Sequence, residues 1–127
     1  DLIRSISIDC QMDFIKLRSY EGKKSTGQIQ LINDIQIDIS NKNVIIVEDI
    51  IDTGKTIEFL VERLNRKSPK SISIATLLLK SKINKNKYNV DYIGFEISQE
   101  FVVGYGLDFN EKFRNLNSIY SISDNSM

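Results

Sequence analysis

The chain has 127 residues, 41% hydrophobic and 27% charged, values typical of one folded domain and not of a disordered or membrane protein. Its 17 basic residues balance 17 acidic ones, so the net charge favours neither nucleic acid nor an anionic membrane as a partner. The single cysteine, Cys10, and the lack of histidine exclude an intrachain disulfide and a thiolate or histidine zinc cluster, and leave proton transfer to carboxylates and lysines.

No apolar run is long enough to span a membrane and no signal-peptide pattern opens the chain, so we expect a cytoplasmic protein. We expect a single domain over 1–127, because no linker or change in composition divides the sequence. Residues 1–8 are apolar at positions 2, 3, 6 and 8, which is typical of the tail of an amphipathic helix. An α/β domain that opens within a helix is expected to lack its first strand and to be part of a longer protein.

The next segments predict strands and a loop. Residues 12–17 alternate in a strand-like way, and residues 18–27 are polar and contain two glycines, which is typical of a loop. Residues 28–32 and 35–39 both show period-2 apolar alternation, which predicts a hairpin or two edge strands.

The central stretch, residues 43–59, reads N-V-I-I-V-E-D-I-I-D-T-G-K-T-I-E-F. Its β-branched run over 44–47 predicts a buried parallel strand that ends at the acidic residues. A helix is predicted over 53–66, with one apolar face made of Ile57, Leu60, Val61 and Leu64. The sequence therefore predicts a strand, a loop and a helix N-terminus.

This junction has the chemistry of a phosphate site. Thr53 and Gly54 are small enough to let backbone N–H groups approach an anion, and the helix dipole adds about half a positive charge. The nearby carboxylates of Glu48, Asp49 and Asp52 would repel that anion unless sugar hydroxyls or a divalent cation lay between, and Mg²⁺ is the expected cation. The loop thus indicates a phosphorylated sugar with a metal.

Two other interpretations of the junction explain less of its sequence. A nucleotide-triphosphatase P-loop would need glycine at position 49, which is Asp49 here. An ordinary turn with an acidic N-cap explains Asp52 and Thr53 but leaves Glu48 and Asp49 without a role.

Beyond the helix, residues 71–79 predict a second buried strand, with Lys80 at its carboxyl end. Lys80 opens a basic segment whose simplest interpretation is a solvated loop. Short strands are predicted over 91–95 and 101–104, and a last strand near 119–122.

Three motifs resemble one family. V-I-I-V-E-D-I-I-D-T-G-K-T over 44–56 is similar to the 5-phosphoribosyl 1-diphosphate (PRPP) signature of type I phosphoribosyltransferases, in the form of the hypoxanthine and hypoxanthine-guanine enzymes. The stretch F-E-I-S-Q-E-F-V-V-G-Y-G-L-D-F-N-E-K-F-R-N-L over 95–116 resembles the purine-binding end of the same family. With D-F-I-K-L-R-S-Y over 13–20, the resemblance covers nearly the whole chain.

The resemblance implies an α/β fold with a twisted, mainly parallel sheet flanked by helices. It also implies purine salvage: transfer of the phosphoribosyl group of PRPP to hypoxanthine, and to guanine, giving IMP or GMP and pyrophosphate, with Mg²⁺ as cofactor. Family members are dimers or tetramers, so a homodimer or homotetramer is expected, with neither nucleic acid nor membrane as partner.

The resemblance also implies a role for each matching residue. Asp52 is the implied general base. PRPP contacts are implied for Glu48, Asp49, Asp52, Thr53, Gly54, Lys55, Thr56, Ser19, Tyr20 and Arg114. Purine contacts are implied for Lys80, Phe101, Val102 and Asp108, and metal contacts for Glu48, Asp49 and Asp108.

Two alternatives within the same fold remain open at the level of sequence. One is a PRPP-sensing regulator of transcription, against which the neutral charge and the complete set of Glu48, Asp49 and Asp52 argue. The other is a transferase for xanthine or a pyrimidine, which Lys80 and Asp108 disfavour.

Overall fold

The computed structural model describes residues 1–19, 29–81 and 87–122. Within them the chain forms two compact units, the first over 1–39 and the second from residue 40 onward. No helix among the described residues is both long enough and apolar enough to cross a membrane. The single-domain assignment over 1–127 stays a prediction.

The first unit contains a short helix and a two-stranded antiparallel sheet. Helix α1 covers Leu2–Ser5 and has no buried residue, so the predicted helix tail over 1–8 is a single turn. Strands β1 (Lys16–Ser19) and β2 (Ile29–Asn33) pair from Lys16 opposite Asn33 to Ser19 opposite Ile29. A register shift follows the first of these pairs.

The predicted hairpin between 28–32 and 35–39 is wrong. The partner of β2 is β1, and residues 34–42 contain no strand. The backbone N–H groups of Gln36 and Ile37 donate to the side chain of Asp13, at 2.6 and 3.0 Å, and that of Ile35 donates to Asp34. These amide groups are satisfied by carboxylates, so period-2 alternation here does not produce a second strand.

The second unit is built around a three-stranded parallel sheet in the order β3–β4–β5. The strands are β3 (Asn43–Ile51), β4 (Ser71–Lys80) and β5 (Tyr92–Ile97). β3 and β4 pair from Asn43 opposite Ser71 to Ile51 opposite Leu79. The strands therefore end side by side, which brings their carboxyl ends to one edge of the sheet.

Helix α2 (Lys55–Asn65) connects β3 to β4 and supplies much of the core. Its buried residues are Ile57, Leu60, Val61 and Leu64, the apolar face that was predicted. The core also contains Ile46 of β3 and Ile74 and Leu78 of β4, which lie on the same side of the sheet. Ser68, with a φ of 54°, and Pro69 follow the helix and separate it from β4.

Strand β3 is longer than predicted. It continues through the acidic residues to Ile51, so Glu48 and Asp49 are strand residues and not loop residues. The last two strands, β6 (Phe101–Val103) and β7 (Tyr120–Ile122), pair antiparallel and confirm the strands predicted in those regions.

The burial of Leu60 gives a test of the core. Leu60 is 1% exposed, so Leu60→Ala should leave a cavity and lower the free energy of unfolding by about 2 to 5 kcal/mol. Urea denaturation of the full-length protein measures the change. The matched control is Asn65→Ala at the exposed end of the same helix, with an expected change within about 0.5 kcal/mol. A loss below about 1 kcal/mol for Leu60→Ala would contradict this packing.

Candidate functional site

The carboxyl ends of β3 and β4 bring Asp52 and Lys80 together. Asp52 follows Ile51, Lys80 follows Leu79, and Ile51 and Leu79 are partners in the parallel pairing. The Lys80 ammonium group donates to Asp52 Oδ2 at 3.1 Å. Only 11% of the Lys80 side chain is exposed, against 56% for Asp52. A buried ammonium group is stable only with a partner, and Asp52 supplies it from the solvent side.

Glu48 lies in a different environment from its neighbour Asp49. Successive strand residues point to opposite faces of the sheet, and Glu48 lines a pocket of about 100 Å³ together with Asp52, Thr53 and Thr56. Asp49 accepts a hydrogen bond from its own neighbour, the N–H of Ile50, at 2.7 Å. Burial raises the pKa of Glu48 from 4.5 to about 7, and the negative charge of Asp49 adds to the effect.

The turn from β3 into α2 is shaped by Gly54. Gly54 is the N-cap residue with a φ of 77°, a left-handed conformation that glycine adopts without steric cost. Its carbonyl accepts the first helical hydrogen bond from the Glu58 N–H at 3.0 Å, and no side chain caps the helix. The N–H groups of Thr56 and Ile57 have no acceptor within the helix, and these two residues line the pocket. The pocket wall can therefore bind an anion.

A second group of candidate residues lies in β6 and in the segment that follows it. The rings of Phe101 and Phe109 meet edge to face with centroids 5.6 Å apart, and Phe101 is 40% exposed. Asp108 forms an ion pair with Arg114 at 3.1 Å and accepts the Glu111 N–H at 2.8 Å. Val102 follows Phe101 in β6 and pairs with Ser121 of β7.

Gly106 is a residue of this segment that sequence reasoning missed. Its carbonyl accepts from Arg114 Nη1 at 2.9 Å, and its N–H donates to the Arg114 carbonyl at 2.9 Å. The backbone there has a φ of 95°, and Gly104 two residues earlier has a φ of 93°. The Gly-Tyr-Gly spacing was the available signal for such a turn.

The PRPP candidate Ser19 belongs to the first unit. Ser19 is the last residue of β1 and pairs with Ile29, whereas Tyr20 lies outside the described residues. Lys55 is the first residue of α2 and is exposed.

The three candidate metal ligands do not form one cluster. No group of three or more acidic or cysteine side chains that could hold a metal ion occurs among the residues that the structure describes. Asp108 is paired with Arg114, and Glu48 and Asp49 belong to opposite faces of a strand. The donor set fits Mg²⁺ that is bound mainly by substrate oxygens, since Mg²⁺ needs only one or two carboxylates when phosphates and water complete its shell.

The raised pKa of Glu48 predicts how stability depends on pH. Because the folded-state pKa of Glu48 lies above its unfolded value, Glu48 contributes to the stability of the fold fully below about pH 4.5. This contribution is lost as the pH rises through about 7. The full pKa shift of Glu48 corresponds to about 3 kcal/mol in the free energy of unfolding. Because Glu48 is partly in contact with water, we expect a loss of only about 1 to 2 kcal/mol. Urea denaturation between pH 4.5 and 8 in a metal-free buffer measures the loss.

Glu48→Gln should flatten this pH dependence, because the amide stays neutral throughout. Glu100→Gln, at an exposed glutamate, is the matched control and should keep the wild-type slope. Parallel curves for the wild type and Glu48→Gln would contradict the assignment.

Comparisons with known proteins identify the family of this chain. The family model for the phosphoribosyl transferase domain matches residues 1–110. Hypoxanthine phosphoribosyltransferase of Buchnera aphidicola (subsp. Schizaphis graminum) is 47% identical over 117 residues, which are 91% of this chain and 66% of that protein. The hypoxanthine-guanine phosphoribosyltransferase of Rattus norvegicus is 47% identical over 119 residues, covering 93% of this chain and 55% of its own length.

Among solved structures, a hypoxanthine-guanine phosphoribosyltransferase from Bacillus anthracis superposes with a TM-score of 0.88 at 45% identity, covering 96% of this chain and 72% of that one. The chain spans between half and two thirds of the length of the curated relatives it matches. The predicted α/β fold, with its parallel sheet, is confirmed. The chain belongs to the type I phosphoribosyltransferases, in the hypoxanthine and hypoxanthine-guanine branch of that family.

Proposed function

We propose that the protein to which this chain belongs is a purine-salvage enzyme of the cytoplasm. It transfers the 5-phosphoribosyl group of PRPP to hypoxanthine, and also to guanine, and releases IMP or GMP and pyrophosphate. The relatives named above support the reaction, and the pairing of Lys80 with Asp52 is the observation that carries it. By the same resemblance the enzyme is a homodimer or homotetramer.

The Lys80–Asp52 pair matches one edge of a 6-oxopurine. O6 of the base is a hydrogen-bond acceptor and N7 beside it carries a proton, so the edge needs one donor and one acceptor next to each other. An ammonium group offers only donors and a carboxylate only acceptors. Lys80 therefore donates to O6 while Asp52 takes the N7 proton as general base.

The phosphate end of PRPP belongs at the turn over 53–56. The N–H groups at the start of α2, the hydroxyls of Thr53 and Thr56 and the dipole of an 11-residue helix bind the 5′-phosphate. Lys55 adds its positive charge. This contact is remote from the reacting carbon, so its binding energy orients the ribose.

The reaction is a substitution at the ribose C1 carbon. N9 of the base forms the new bond, and pyrophosphate leaves with the electron pair of the bond that breaks. Positive charge develops on the ribose, as in glycoside hydrolysis. Glu48, which lines the pocket, accepts hydrogen bonds from the ribose hydroxyls near this charge. The resemblance implies the same role for Asp49, on the opposite face of β3.

The remaining residues hold the leaving group and the base. Arg114 contacts pyrophosphate, and a guanidinium group suits this role because it is permanently charged and forked. The resemblance implies pyrophosphate contacts for Ser19 and Tyr20 as well. Phe101 stacks on the purine and Val102 contacts its edge through the backbone. Mg²⁺ would be bound mainly by oxygens of the substrate, with one or two carboxylates from the candidate ligands Glu48, Asp49 and Asp108, and would supply neutralisation of charge on the pyrophosphate.

Asp52→Asn tests the general base. In the full-length protein it should lower kcat for IMP formation by about 10² to 10⁴, because the amide cannot accept the proton, with little change in KM for PRPP. Steady-state kinetics with hypoxanthine measures this, and Asp9→Asn, at an exposed aspartate, is the control. Unchanged turnover would remove Asp52 from the mechanism.

Lys80→Met tests the purine contact. Methionine keeps most of the buried stem but removes the donor to O6, so KM for hypoxanthine should rise about 10- to 100-fold, the loss expected for one charged hydrogen bond. KM for PRPP should change much less. Lys70→Met, at an exposed lysine, is the control. Equal increases in both KM values would count against a purine-specific role.

A further inference from the structure

We propose that Asp13 is a positioning residue that fixes the base of the β1–β2 hairpin and thereby holds Ser19 in place for PRPP. The inference rests on the proposed function, which assigns Ser19 to pyrophosphate. Asp13 itself touches no substrate in this proposal.

The Asp13 carboxylate accepts three backbone hydrogen bonds. Oδ2 accepts from the N–H groups of Gln36 and Ile37, at 2.6 and 3.0 Å, and Oδ1 accepts from the N–H of Phe14 at 2.7 Å. Gln36 and Ile37 lie 23 and 24 residues away in sequence. One side chain therefore ties together two distant parts of the chain, and hydrogen bonds to a charged group are the stronger kind.

These bonds continue the hairpin beyond the end of its backbone ladder. Pairing between β1 and β2 stops at Lys16 opposite Asn33. Asp13 lies three residues before Lys16, the first residue of β1, and Gln36 lies three residues after Asn33, the last residue of β2. The Asp13 carboxylate joins these two positions. The Asp13 side chain thus connects the two chain segments beyond the last backbone pair, where further backbone hydrogen bonds would otherwise have connected them.

A hairpin of this size needs such a link. β1 has four residues and β2 has five, and the sheet contains only these two strands. An isolated two-stranded hairpin is marginally stable in water. A fixed point at its base restricts how far the other end of β1, at Ser19, can move.

The charge state of Asp13 is suited to this task. Hydrogen bonds from Ile37, Gln36 and Phe14 lower the pKa of the carboxyl, although the residue is exposed. The carboxylate is therefore ionised throughout the neutral range, and the link does not switch with physiological pH. The negative charge of Asp34 opposes this effect.

Steady-state kinetics of Asp13→Ala in the full-length protein tests the proposal. KM for PRPP should rise about five- to tenfold, the loss expected from weakened hydrogen bonds, while KM for hypoxanthine changes less than about twofold. Asp13→Asn should recover most of the loss, because its amide oxygen can still accept from Gln36 and Ile37. Asp9→Ala, four residues earlier at another exposed aspartate, is the matched control and should behave as the wild type.

Hydrogen exchange provides an independent measurement of the link. The Gln36 and Ile37 amides should exchange faster in Asp13→Ala and close to the wild-type rate in Asp13→Asn. Unchanged exchange in Asp13→Ala, an unchanged KM for PRPP, or equal rises in both KM values would overturn the proposal. A wild-type protein that forms no nucleotide from hypoxanthine and PRPP would instead overturn the proposed function, so the two failures are distinguishable.

Discussion

The site depends on the parallel register between β3 and β4. Because Ile51 lies opposite Leu79, the next residue of each strand reaches the same edge, and Asp52 and Lys80 meet at 3.1 Å. A shift of one residue would turn the Lys80 side chain to the other face of the sheet. The register is in turn specified by burial, since Ile46, Ile74 and Leu78 are buried on one face of the sheet. The packing of the core thus determines the positions of Asp52 and Lys80 in the site.

The alternation of side chains along a strand explains why the two adjacent acidic residues of β3 lie in different environments. Glu48 and Asp49 are adjacent in β3, so they point to opposite faces, and only Glu48 lies in the pocket with Asp52. The partly buried Glu48 has a pKa of about 7, which shows that its surroundings stabilise the charged form poorly. A ligand that brings hydroxyl donors or a cation to Glu48 would favour its ionised form. The pocket is therefore better suited to a sugar hydroxyl or a metal-bound phosphate than to a bare anion.

Local patterns predicted much of this fold, and contacts between distant residues account for the rest. The apolar face of α2 was predictable because its period is set by neighbouring turns, and β4 because its apolar run is long. The partner of β2 was not predictable, since the Asp13 carboxylate takes up amides 23 and 24 residues away. The sequence predicts that β3 ends at the acidic residues, whereas the pairing of β3 with β4 extends to Ile51. The sequence predicts Asp52 and Lys80 as site residues, but their contact joins positions 28 apart and depends on that pairing.

In the free protein the charges of the candidate site are already compensated by one another. Lys80 is paired with Asp52, and Arg114 with Asp108 and the Gly106 carbonyl. In the proposed reaction a purine or a pyrophosphate must therefore exchange partners with these groups instead of meeting bare charges. The affinity gained is the difference between two sets of hydrogen bonds, which is small for a ligand that fits poorly. A ligand that satisfies both members of a pair loses nothing by separating them, whereas a ligand that satisfies one leaves the other uncompensated. Selection of a 6-oxopurine follows from this exchange, because its O6 acceptor and N7 proton satisfy Lys80 and Asp52 together.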